Sequence, residues 1–238
     1  MDAARPDSTY MGRAARVVLP GCAHHVTQRG NHQQDVFFCD TDRDLYVALL
    51  RDQANKAGLR ILGYCLMTNH IHLVTTPERP NSLAAGLGRV HNDYARWLHV
   101  RQGRTGHLWQ NRFFSCPLSE SHLAEVLRYV ELNPVRAKLV RQARDWEWSS
   151  ARARIEGEDP KQLIARVDLN PSGTAWNQVL EQGWKAAEFE MRLREATRAG
   201  RPFGDDAFLE RAEEQAGRRL RPLKRGRKTR HNRPTDGE

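Results

Sequence analysis

Two runs of β-formers, Leu59 to Met67 and His70 to Thr76, are separated by only Thr68-Asn69, after the helix-stopping Gly58. A connection that short predicts an antiparallel pair, so the chain must build a sheet around it. In the second run His70 and His72 alternate with Ile71 and Leu73. Side chains at i and i+2 of a strand share a face about 6 to 7 Å apart. Two imidazoles so placed can hold one divalent ion between them while Ile71 and Leu73 enter the core. An isolated His-x-His pair more often describes a solvated or hydrogen-bonded sheet face, so the metal reading needs support from elsewhere.

The flanking pattern extends the sheet. His24 to Arg29 reads as a first strand, Asp40 to Ala57 as a helix entered through an Asp/Thr cap, Ser82 to Arg101 as a second helix, Phe113 to Leu118 as a fourth strand and Ser121 to Leu132 as a third helix. Strand, helix, strand, strand, helix, strand is the split βαβ order, and it predicts an α+β, ferredoxin-like antiparallel sheet with helices. Trp146 and Trp148 are expected to dock a returning segment on this core. Thr174 to Arg198 and Asp205 to Gln215 predict further helices, with Asn170-Pro171-Ser172-Gly173 as a hinge. The expected organisation is a disordered segment 1–13, a catalytic domain 14–153, a helical extension 154–216 and a basic tail 217–238.

Charge sharpens the expected partner. The chain carries +9 overall, yet residues 217–233 hold nine cations and no acid. Such a run is the electrostatic footprint of a polyanion partner, the alternative being a merely solubilising or disordered tail. Cys22, Cys39, Cys65 and Cys116 form no Cys-x-x-Cys pair and are expected to be reduced core thiols. No run of 18 apolar residues and no signal-peptide core is present, so a cytoplasmic protein without membrane contact, monomeric or dimeric, is expected.

A nucleophile must stand on an accessible face. Tyr94 continues the apolar stripe Leu87, Val90, Leu98 and reads as core. Tyr129 differs, because the stripe of its helix is Leu123, Val126, Leu127 and Val130, leaving Tyr129 with His122, Glu125, Asn133 and Arg136 on the polar side.

His-hydrophobic-His on a strand, followed by a helix reading Arg128-Tyr129-Val130-Glu131-Leu132-Asn133-Pro134-Val135-Arg136-Ala137, resembles the single-tyrosine HUH transposases. The segments Gly21 to Asn31 and Gly106 to Phe113 are similar to the same family. The stretches Gly200 to Phe208 and Gly217-Arg218-Arg219-Leu220 resemble the C-terminal extension of its REP-associated tyrosine transposases. The resemblance implies a metal-dependent endonuclease and strand transferase that acts on single-stranded or hairpin DNA. It implies attack by Tyr129, a 5′-phosphotyrosine intermediate, and a Mg²⁺ or Mn²⁺ ion held by His70, His72 and a polar ligand at Asn133. Imidazoles suit Mn²⁺ more than Mg²⁺, so an oxygen ligand is expected in either case. Pro134 biases Asn133 away from helical backbone and weakens the i,i+4 relation to Tyr129.

DNA contacts are expected where cations and an aromatic interleave, at Arg101, Arg104, His107, Trp109 and Arg112, the alternative being that Trp109 plugs the core and the arginines are solvated. Arg29 and Asn31, around a glycine that would admit a phosphate, are a second group, and Arg218, Arg219, Arg225 and Arg227 of the tail a third. The competing function is a DNA-binding regulator that keeps the fold and acts by occupancy alone.

Overall fold

A computed structural model of the chain describes residues 16–169, 174–182 and 187–221. The expected segment 1–13, the 170–173 hinge, Arg225 and Arg227 lie outside the described residues. Four strands, β1 (His24–Arg29), β2 (Leu59–Leu66), β3 (His70–Pro77) and β4 (Phe114–Pro117), form one antiparallel sheet in the order β2-β3-β1-β4. The long helices between them are α1 (Asp40–Ala57), α2 (Ser82–Gln102) and α3 (Glu120–Glu131). This is the expected ferredoxin-like arrangement.

Alternation along the strands sorts two cores. Ile71, Leu73, Val26, Tyr64 and Leu66 pack with residues of α1 and α2. The opposite face carries Val74, Cys65, Cys116 and Met67, and it too is covered, by Val126, Tyr129 and Val130 of α3 and by Leu193 of a later helix. The His70/His72 face is therefore not a solvated one, and His72 is only 6% exposed. Close seating of α3 depends on Gly63, beside a register shift in β2, where an added Cβ would lie 2.3 Å from Leu127 Cδ2.

α3 ends at Glu131, and a separate turn α4 (Asn133–Arg136) follows, with Leu132 between them at φ −84°, ψ −2°. Pro134 cannot donate to the α3 ladder, which accounts for the break. Behind it, the fully buried Glu131 carboxylate accepts from Arg154 Nε at 3.0 Å, Ser150 Oγ at 2.6 Å and Trp176 Nε1 at 2.6 Å. These bonds tie α5 (Ala151–Glu156) and α6 (Trp176–Glu181) to α3. Trp148 is buried and its carbonyl accepts from Leu66 N, so the returning segment does close the free edge of β2.

The extension continues as α7 (Ala187–Ala199) and α8 (Asp206–Ala216). The Asp205 side chain caps α8 by accepting from Phe208 N, and Gly217 ends it with φ +60°. Leu220 then packs with Val17, Leu19, Phe208 and Ala212. All four cysteines are free thiols; Cys65 and Cys116 are buried, whereas Cys39 is exposed at the start of α1 and is not a core thiol.

Two buried rings make the fold acid-sensitive. His24 Nδ1 donates to Cys22 O and its Nε2 accepts from Leu19 N, while His91 Nε2 pairs with Tyr46 Oη at 3.0 Å. Burial pushes His24 down to about 4 and His91 to about 3 from the ordinary 6.5. The unfolded chain thus binds protons below pH 6.5 that the native chain refuses. Stability is full above that pH and falls beneath it, by up to roughly 1.4 kcal/mol per pH unit for each ring. The urea midpoint should be flat from pH 8 to 7 and drop clearly by pH 5; an unchanged midpoint at pH 5 would show that these rings are not buried in neutral form.

Candidate active site

α3 lies over β2 and β3, and α7 lies over β1 and β4 of the same sheet face. Between them opens a cavity of about 450 Å³ lined by His25, Arg29, His70, His72, Tyr129, Asn133, Arg136, Arg194 and Thr197, among others. The structure thus brings the two strand histidines and the helix tyrosine together. The His70 and His72 ring centroids stand 5.1 Å apart, and the Tyr129 ring stands edge-on to His72 at 5.6 Å.

Tyr129 is 1% exposed, so it occupies a buried cleft wall and not an open polar face. Its hydroxyl accepts from Arg194 Nε at 3.3 Å, and the Arg136 guanidinium lies 4.3 Å from its ring centre. Glu190 of α7 holds both cations, with Oε1 3.2 Å from Arg136 Nε and Oε2 2.8 Å from Arg194 Nη2. On the floor, Arg29 pairs with His70 across the β1–β3 ladder, and its buried Nε finds no hydrogen-bond partner among the described residues.

Burial disfavours a charge on either strand histidine. His70 is pushed down to about 4, by burial first and then by Arg29 and Arg194. His72 is held well below its ordinary range, by burial first and then by His70, His25, Arg136 and Arg194. Neutral imidazole is the form that binds metals. His70 Nδ1 faces Asn69 Oδ1 at 2.7 Å, and that oxygen can only accept, so the proton sits on Nδ1 and Nε2 keeps its lone pair.

Among the described residues no group of three His, Cys, Asp or Glu side chains is placed to hold a metal. Two neutral imidazoles on one cavity wall nevertheless fit a divalent ion whose remaining ligands are oxygens. Asn133 lines this cavity, but not as the i,i+4 partner of the phenol. Its Nδ2 donates to the carbonyls of Tyr129 and Val130, and its Oδ1 accepts from Arg136 Nη2 at 2.8 Å. One lone pair of that oxygen is thus engaged by a guanidinium.

The expected DNA contacts divide. Arg101 has a structural role: it is ion-paired with the buried Asp42 and stacked on Trp97, joining the end of α2 to the start of α1. Trp109 packs against His91, Tyr46 and Tyr94 and donates Nε1–H to His91 O at 2.9 Å, so its indole is a core element. Gly30 is required by packing, since a Cβ there would lie 2.2 Å from Gln34 O; room for a phosphate is not its reason. Arg104 stands exposed beyond the C-cap of α2. Asn31, His107 and Arg112 line a cleft of about 820 Å³. Arg112 also joins Arg16, Arg198, Arg201, Arg218 and Arg219 along a groove of about 440 Å³, which shares Phe114, Thr197 and Arg198 with the tyrosine cavity.

Four residues of the site are not evident from local pattern: His25, Arg194, Glu190 and Thr197. His25 belongs to the Gly21 to Asn31 motif, which offered the only signal. His122 and Glu125, expected on the same polar side as Tyr129, do not line this cavity; His122 bonds Ser119 Oγ and packs on Phe203, and Glu125 is exposed.

Residues 19–133 match the family described as Transposase IS200 like. A curated Haemophilus influenzae protein, provisionally named a REP-associated tyrosine transposase, is 27% identical over 124 residues, which cover 47% of this chain and 70% of that protein. A solved structure titled as a REP-associated tyrosine transposase bound to a REP hairpin shares the fold with a TM-score of 0.52 at 17% identity, covering 67% of this chain and 93% of the other. No described helix is long and apolar enough to cross a membrane.

Proposed function

We propose that this chain, a REP-associated tyrosine transposase relative with an IS200-like transposase match over residues 19–133, cleaves and rejoins single-stranded DNA at REP-type hairpins through a 5′-phosphotyrosine bond. The observation that carries the reading is the convergence of Tyr129, the His70 and His72 rings and four arginines, Arg29, Arg136, Arg194 and Arg198, on one cavity. Action by DNA occupancy alone does not call on a tyrosine that shares one cavity with two neutral strand histidines, and this favours the catalytic reading.

In this reading Tyr129 Oη attacks the scissile phosphorus, the phosphorus–O3′ bond breaks, and the departing 3′ oxygen takes up a proton while the phenol loses one. Arg194 already donates to that hydroxyl and so favours the phenolate as it forms. Arg29 and Arg136 offset charge on the non-bridging oxygens. His70 and His72, with an oxygen ligand such as Asn133, would hold Mg²⁺ or Mn²⁺, which supplies Lewis-acid polarisation of the phosphate. The covalent link conserves the bond for attack by a later 3′ hydroxyl.

The groove of Arg16, Arg112, Arg198, Arg201, Arg218 and Arg219 gives the strand a continuous phosphate track out of the cavity. End-labelled hairpins with a single-stranded flank, incubated with Mn²⁺ or Mg²⁺, should yield a denaturation-resistant protein–DNA adduct on the 5′ end. A cleaved product carrying no adduct would refute the mechanism.

The tail is expected to add affinity through counterion release. A cut after Gln215 would also remove Leu220 from its packing, so the informative truncation follows Arg221 and deletes six of the nine cations. On single strands the slope of log affinity against log salt is about −0.7 per neutralised phosphate, so each lost contact flattens it by that amount. An unchanged slope would mean that these six residues do not engage DNA.

A further inference from the structure

We propose that Thr197 of α7, acting through His25, fixes the tautomer of His72 and thereby aims a ring lone pair into the cavity, making the C-terminal extension a working part of the metal site. The inference rests on the assignment of His70 and His72 as metal ligands, and it adds two positioning residues, one of them far outside residues 19–133.

The direction of every proton in the chain follows from its far end. Thr197 Oγ1 lies 2.7 Å from Leu193 O, and a carbonyl can only accept, so the single hydroxyl proton is committed there. The same Oγ1 lies 2.8 Å from His25 Nδ1, which must therefore be the donor. Cys116 Sγ, 3.3 Å away, has its thiol pushed up to about 12 by burial and supplies a second donor, so the Thr197 hydroxyl donates once and accepts twice. A neutral His25 with its proton on Nδ1 has a bare Nε2. That atom is 3.0 Å from His72 Nδ1, so His72 donates Nδ1–H to it. His72 Nε2 is left with a lone pair.

The opposite tautomer of His72 would set two lone pairs against each other at 3.0 Å in a buried site. His70 reaches the same state by a separate route, through Asn69 Oδ1, whose amide is oriented by an Nδ2 bond to Gln33 O. Both strand histidines consequently present Nε2. A ligand imidazole whose other nitrogen is bonded this way is oriented and made more basic, and loss of such a partner typically costs 10- to 100-fold in metal affinity.

Long-range proton–nitrogen spectra of the metal-free full chain, labelled at histidine, report the tautomers directly. His72 is expected as the Nδ1–H form in the natural chain. Thr197→Val, which keeps shape and removes the hydroxyl, should populate the Nε2–H form and weaken Mn²⁺ binding, read by electron paramagnetic resonance, by about 10-fold or more. Thr197→Ser should restore both. An Nε2–H His72 in the natural chain would overturn the proposal even if Thr197→Val failed to fold, and so would unchanged Mn²⁺ affinity in a folded Thr197→Val. His72→Ala separates the two levels of inference. If it leaves Mn²⁺ affinity unchanged, the ligand assignment itself is wrong; if it abolishes binding while Thr197→Val does nothing, only the relay is wrong.

Discussion

Tyr129→Phe should abolish the covalent protein–DNA adduct and reduce strand cleavage by at least about a thousandfold, on the scale of removing any covalent nucleophile. Hairpin affinity should stay within a few fold. The ring is held by its edge contact with His72 and by the Arg136 guanidinium, both of which a phenyl ring retains. Only the hydroxyl and its single bond from Arg194 are lost, at a cost of roughly 1 kcal/mol in stability. The unfolding midpoint and the adduct thus respond very differently. A variant that still forms a denaturation-resistant adduct would place the nucleophile elsewhere, and a binding loss as large as the cleavage loss would show that the hydroxyl holds DNA and does not attack it.

Arg194→Met tests the neighbour of that hydroxyl. Substitution should slow adduct formation while leaving Tyr129 competent, and it frees one oxygen of Glu190 to pair more fully with Arg136. Arg194 is exposed on α7, so little packing is at stake. An unaltered rate would mean that Arg136 or the metal alone supports the phenolate.

What was legible from the sequence is what local chemistry dictates. Helix α1 ends where the residue pattern places it, because Gly58 stops it in left-handed backbone at φ +64°. The strand order followed from the split βαβ pattern, and the family motifs pointed to His70, His72 and Tyr129. What failed to show depends on contacts between distant residues. Arg101 reads as a loop cation until the sheet brings α2 against Asp42, which is 59 residues away. The polar side of α3 reads as solvent-facing because nothing in residues 120 to 131 announces that α7 will share that face. Thr197 meets His25 across 172 residues, and no periodicity within either segment encodes such a pairing. A threonine inside a helix bonding back to its own i−4 carbonyl is ordinary; only the tertiary fold gives its oxygen a second partner.

Removing either strand histidine should suppress cleavage to a similar degree yet affect the fold unequally. His70 is partly exposed at the cavity rim and its partner is the neighbouring Asn69, so His70→Ala should shift the unfolding midpoint little. His72 is buried, bonded in-plane through Nδ1 to His25 Nε2 and edge-on to Tyr129. His72→Ala opens a void there and leaves His25 Nε2 without its donor, a penalty of about 1–3 kcal/mol for the unsatisfied atom alone. Cleavage assays, Mn²⁺ titrations and urea unfolding on the same two variants separate these effects. Equal loss of Mn²⁺ affinity with unequal stability supports two ligands in different surroundings. If cleavage by the natural chain proceeds at full rate in excess chelator, or if both variants bind Mn²⁺ as the natural chain does, the two rings serve only to shape the cavity, and the phosphate must be polarised by the arginines of the cavity, Arg29, Arg136, Arg194 and Arg198.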